Sequence, residues 1–206
     1  MACIITKNEL CSIIDNIVSM QERMTERLHV SDTNPRFEND VLSVAYRDHL
    51  MNFKLWHEED KARRKDVDTT FIANCKYSID KLNQQRTNAY EELDQLIVGL
   101  LVPMIPAEHS DVQNTESIGM ALDRLSIMAL KIYHMQEHLG RQDLDNEKKQ
   151  QIEENLRVMK NQKTELVRSL KYLIDEYTNG TKVPKQFCQF KMYNDPKLNP
   201  EIYKNT

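Results

Sequence analysis

Between Pro35 and Gly99 the chain contains neither proline nor glycine. These are the residues that most readily turn or break a backbone, so a stretch that long without them argues for helix. Apolar spacing supports this. Leu42, Tyr46, His49, Phe53, Trp56, Asp60, Arg63 and Val67 are separated alternately by three and four residues and share one helical face. A second stripe, Ile72, Ile79, Arg86, Leu93 and Leu100, recurs every seventh residue, flanked by Leu82 and Leu96. Asp68-Thr69-Thr70 lies between the stripes and has capping chemistry, which predicts a break and two helices. One helix over the whole stretch 39–101 is the alternative.

The remaining punctuation divides the chain in the same way. A capping box, Thr6-x-x-Glu9, opens a first helix with an apolar face of Leu10, Ile13, Ile14, Ile17, Met24 and Leu28. Residues 31–40 read as a polar turn and 102–117 as a loop. A helix over about 117–139 is apolar around most of its circumference and should be central. "GRQDLD" is a turn, and a last helix over 145–178 ends at Asn179-Gly180. The tail 181–206 keeps four aromatics, Phe187, Phe190, Tyr193 and Tyr203, and is expected to run extended along the bundle. The fold class is therefore all-α: a single-domain antiparallel helical bundle of about five helices. Within 1–206, residues 1–36 form an N-terminal helix and turn, 37–180 the helical core and 181–206 the tail.

Composition narrows the function. Only 4 glycines and 6 prolines occur among 206 residues, which argues against hairpin-rich β folds and glycine-loop nucleotide folds. A net charge of −4 gives no reason to expect nucleic acid. Cys3, Cys11, Cys75 and Cys188 show no close pairing and read as free thiols in a reducing compartment. No signal peptide and no run of about 18 apolar residues is present, so the expectation is a cytoplasmic protein without membrane insertion. A homo-oligomer is compatible with the sequence, which does not set an assembly state.

Several polar residues fall on apolar faces. Asn52, Asp60 and Arg63 lie among Phe53, Trp56, Val67 and Phe71, with His57 at the edge. Arg86 occupies the centre of an aliphatic stripe, with Asn83 and Tyr90 a turn away. Asp123 and His134 share a face of the apolar helix, flanked by Ser126 and Lys131. Either these are structural ion pairs, Asp60–Arg63 first, or they line a polar site inside the bundle.

Short motifs add little. "HMQEH" matches H-x-x-E-H but lacks an identifiable third ligand, and "ERLH" is a single Glu-x-x-His where a di-iron bundle needs two. No metal and no cofactor follows from them, and no P-loop, G-x-G-x-x-G or G-x-S-x-G is present.

Four longer stretches, "NFKLWHEEDKAR" (52–63), "IDKLNQQR" (79–86), "DRLSIMALKIYHM" (123–135) and "QFKMYNDPKLNP" (189–200), resemble a bacterial family catalogued as domain of unknown function 4254. The resemblance spans about 37–203. It implies an all-helical protein and carries no established activity. Matching positions include Asn52, Trp56, His57, Asp60, Arg63, Asp80, Asn83, Arg86, Asp123, Arg124, Ser126, Lys131 and His134. The second histidine of "HMQEH" lies outside the family pattern.

The functional expectation is a small anionic ligand, phosphate- or carboxylate-bearing, with a sugar nucleotide as one example. Arg63, Arg86 and Lys131 would hold the anion, and Asn52, Asn83, Arg124 and His134 would complete the binding set. His57, Asp60 and Asp123 are the candidates for acid–base work. The alternative is a helical interaction or scaffold protein whose interior charges fix register.

Overall fold

The computed structural model describes residues 5–31, 35–37, 39–192 and 195–204. Cys3, Tyr193, the Tyr203 side chain and part of the 31–40 segment lie outside them. The described residues contain no strand. Five long helices, α1 (Lys7–Val30), α2 (Asp40–Ala62), α3 (Thr69–Leu101), α4 (Ile118–Leu139) and α5 (Asn146–Thr178), pack on one another. A short helix, α6 (Pro200–Tyr203), follows near the C-terminus.

Each long helix begins on a residue that the sequence supplies for the purpose. Thr6, Asn39, Asp68, Ser117 and Asp145 each accept a hydrogen bond from the backbone N–H three residues on. Asp68 does so for Phe71 at 2.7 Å, so the long stretch is two helices, broken where expected. Beyond α5, Gly180 takes φ +72 and its N–H donates to the Tyr177 carbonyl, a left-handed helix stop.

The neighbouring pairs α2–α3, α3–α4 and α4–α5 are antiparallel. Arg47 pairs with Glu92, and Arg86 with Asp123. Helix α5 also lies antiparallel to α1, tied by Lys7–Asp175 at 2.7 Å and Lys171–Asp15 at 2.7 Å. Helices α1 and α2, however, run the same way. Thr25 meets His49 and His29 meets Phe53, a constant offset of 24 residues. That offset sets Asp40 level with Asn16, about 21 Å back down α1 at 1.5 Å per residue. The end of α1 and the start of α2 are therefore far apart rather than adjacent, at a separation that nine residues can span at about 3.3 Å per residue. Phe37, between the two helices in sequence, packs on the core and lies 5.4 Å from the Tyr46 ring.

Helix α4 is central, touching α1, α2, α3 and α5. Its Ile118, Leu122 and Leu125 are buried with Leu10, Ile14 and Ile17 of α1 and Leu93 and Ile97 of α3. Gly119 allows the closest approach. A Cβ there would stand 2.3 Å from the Tyr90 carbonyl oxygen, and the Gly119 N–H donates to Asp94 at 3.0 Å.

After Gly180 the chain leaves the helices. Val183 N–H donates to Val112 O, Gln189 N–H to the Glu91 carboxylate, and Lys191 Nζ to Asn83 O at 3.0 Å. Phe190 is 85% exposed. Polar bonds, rather than that aromatic ring, hold this stretch against α3. Cys11, Cys75 and Cys188 are free thiols. No helix among the described residues is long and apolar enough to cross a membrane.

Candidate functional site: a polar pocket between three helices

Helices α1, α2 and α4 bury a connected set of polar side chains. The Gln21 carbonyl can only accept, so the Thr25 hydroxyl donates to it at 2.8 Å. Thr25 Oγ1 must then accept from His49 Nε2–H at 3.2 Å. Burial lowers the His49 pKa to about 3, so the ring is neutral and its Nδ1 accepts from Ser126 Oγ–H at 2.8 Å. Ser126 Oγ in turn accepts from Asn52 Nδ2 at 3.1 Å, and the same amide donates to Asp123 Oδ1 at 2.8 Å. Every hydrogen in this chain has one consistent direction.

The chain ends at a carboxyl pair and a guanidinium. Asp48 is fully buried, and neither of its oxygens accepts a hydrogen bond from a donor group. Burial, and then the adjacent Asp123 charge, raise its pKa well above 3.8, against a smaller opposing effect of Arg86. A protonated Asp48 beside Asp123 avoids burying two like charges together. Arg86 Nε lies 3.5 Å from Asp123 Oδ1. This is ion-pair distance but not a formed hydrogen bond, and the buried Nε–H has no other partner. An unspent buried donor costs about 1–3 kcal/mol unless something accepts from it.

Above Arg86 a pocket of about 350 Å³ opens between α2, α3 and α4. It is lined by Asn52, Leu55, Trp56, Glu59, Asp60, Arg63, Asn83, Arg86, Ile127 and Leu130. Lys191, arriving from the tail, donates to the Asn83 carbonyl beside Arg86. Burial and the Arg86 charge lower its pKa. Two cations thus stand close together, with Asp123 near both.

Of the residues singled out in the sequence, Asn52, Asp60, Arg63, Asn83 and Arg86 line this pocket, and Asp123 lies against Arg86. Asp60 and Arg63 do not reach the interior. Arg63 caps the C-terminus of α2, where the pocket opens to solvent; its guanidinium is 67% exposed and pairs with Glu59 at 3.4 Å and Asp60 at 3.5 Å. Helical periodicity placed them on the correct face but could not show that the helix ends there. Lys131 is exposed and does not line the pocket. Arg124 is also exposed and pairs with Glu116, away from it.

His57 and His134 lie behind the pocket wall. The Trp56 and His134 rings stack at 4.8 Å and 7°, and His57 lies 5.6 Å from His134. His29 of α1 joins them, 5.1 Å from His57 and 4.9 Å from His134. Burial, then the charges of His29 and His134, lower the His57 pKa.

Sequence reading missed Thr25 and Asp48, and discounted His29 with the single Glu-x-x-His motif "ERLH". Asp48 carried a signal: it lies four residues before Asn52, on the same face of α2. Thr25 carried none, and nothing local to His29 pointed to His57 or His134, because only the parallel packing of α1 brings these residues to α2 and α4.

A family model described as "Protein of unknown function (DUF4254)" matches residues 42–186. The match covers α2 to α5, including every pocket-lining residue; the tail stretch 189–200 lies beyond it. No curated protein and no solved structure matches the chain. The chain belongs to the DUF4254 family.

Proposed function

We propose that this protein binds a small anionic metabolite, bearing a phosphate or carboxylate, in the pocket between α2, α3 and α4. The observation that carries this reading is Arg86: a guanidinium on the pocket wall whose buried Nε–H has no hydrogen-bond partner. A bound anion would accept from it, with Lys191 as a second cation from the tail. A volume near 350 Å³ lies at the small end of ligand sites, about 300–1,000 Å³. It favours a ligand the size of a sugar phosphate over a whole sugar nucleotide. Asp123, the carboxylate against Arg86, is the group for accepting a proton in this reading. Asp60 at the rim is a positioning group in this reading, and His57 is not in contact with the ligand.

The second reading, a helical interaction protein with structural ion pairs, is favoured by the local pairing of Arg63 with Glu59 and Asp60. A thermal-shift panel of phosphorylated and carboxylated metabolites separates the two. The ligand reading expects a stabilising compound whose affinity falls at least tenfold in Arg86→Ala, with Arg157→Ala, exposed on α5 and away from the pocket, as a surface control. A broad panel with no shift in the wild-type protein supports the interaction reading instead.

A further inference from the structure

Three histidines converge from three helices, His29 of α1, His57 of α2 and His134 of α4. One nitrogen of each lies within 4.8 Å of the others. Two of the rings have a fixed tautomer. His29 Nδ1 lies 2.6 Å from the Thr25 carbonyl, and His134 Nδ1 lies 2.7 Å from the Glu137 carboxylate. Both partners can only accept, so each Nδ1 carries the hydrogen and each neutral ring has its lone pair on Nε2. Both Nε2 atoms are buried and have no hydrogen-bond partner. A carbonyl or carboxylate behind Nδ1, with a bare Nε2 in front, is how metal-binding histidines are held.

From this geometry we infer that His29, His57 and His134 form a binding site for a divalent transition-metal ion of the zinc type. Three imidazoles without a carboxylate or thiol in the cluster suit Zn²⁺, Co²⁺, Ni²⁺ or Cu²⁺ rather than Mg²⁺ or Ca²⁺. Tetrahedral coordination at about 2.0–2.1 Å needs nitrogens roughly 3.4 Å apart, so small side-chain rotations close the site. Three protein ligands leave a further position for water or another ligand. The site does not depend on the anion pocket, although Trp56 separates the two and touches both.

The H-x-x-E-H pattern is not the basis of this site. His138 is exposed, whereas His134 turns its Nε2 into the interior. Of that pattern, His134 supplies the ligand and Glu137 orients it.

Trp56, the only tryptophan in the chain, stacks on His134 and serves as a built-in reporter. The full-length protein, stripped with chelator, is titrated with CoCl2 and then ZnCl2. One Co²⁺ per chain should quench Trp56 fluorescence saturably, and Zn²⁺ should reverse the quenching. His29→Ala, His57→Ala and His134→Ala should each weaken binding by about 100-fold or more, with helicity checked by circular dichroism. Glu137→Gln, an exposed change that leaves the bundle intact, should weaken it by about 10- to 100-fold. His138→Ala should have no effect. Absence of stoichiometric Zn²⁺ binding by the wild-type protein would overturn the inference. So would wild-type affinity in Glu137→Gln together with any folded single-histidine variant, or loss of binding in His138→Ala.

Discussion

Two adjacent residues, Asp48 and His49, are buried with opposite consequences for stability. His49 has a folded pKa near 3 against an ordinary 6.5. Below about pH 6.5 the unfolded chain takes up a proton that the folded one refuses. Stability should therefore fall by about 1.4 kcal/mol per pH unit from that group as pH drops toward 3. Urea unfolding between pH 7 and pH 4 measures it: His49→Gln should be less stable at pH 7 yet show a shallower acid slope. Equal slopes would mean that His49 is not the buried neutral ring described. Asp48 has the reverse sign. Its raised pKa means the folded state holds a proton the unfolded chain has lost, so its contribution is present below about pH 4 and lost as pH rises through the folded value. Asp48→Asn keeps a neutral donor facing Asp123 and should gain stability relative to wild type from pH 5 to pH 8. A difference from wild type that stays constant between pH 5 and pH 8 would show that Asp48 is ionised in the native protein. Arg86 belongs with these residues, since its Nε–H is spent neither on Asp123 nor on any other group.

At the level of the helix, local chemistry and close packing act together. The break between α2 and α3 comes from Asp68, a cap that serves its own sequence neighbours whatever the bundle does. Gly119 is different, because only the approach of α3 explains it. A methyl group there would overlap the Tyr90 carbonyl oxygen and crowd the Asp94 side chain at 2.8 Å. Backbone cannot rotate away as a side chain does, so Gly119→Ala should cost about 1–3 kcal/mol or more, read by thermal or urea unfolding. An unchanged midpoint would show that α3 and α4 do not meet so closely. Helix α2 shows where periodicity stops being informative. Its stripe correctly joined Trp56, Asp60 and Arg63, but Arg63 is the C-cap, and side chains on a last turn reach solvent.

Across the whole molecule, the parallel run of α1 beside α2 and α4 decides what the interior contains. It brings Thr25 to His49 and His29 to His57 and His134. The pocket above Arg86 and the histidine cluster lie on the two sides of Trp56, both near the end of the bundle where α1 stops and α2 ends. Five helices, the capping box at Thr6, the break at Asp68, the stop at Gly180 and the central place of α4 were legible in the sequence. These depend on 3.6-residue periodicity and on bonds between residues three or four apart. The inward turn of Asn52, Arg86 and Asp123 was legible for the same reason, as polar residues on apolar stripes. Helix direction was not, because a nine-residue connection can either turn back or cross over, and periodicity is the same both ways. Asp48 meeting Asp123, Lys191 reaching Asn83 and three histidines sharing one space are contacts between residues 28 to 108 positions apart. Only the tertiary packing of apolar faces determines such distances, so only the folded structure shows these sites.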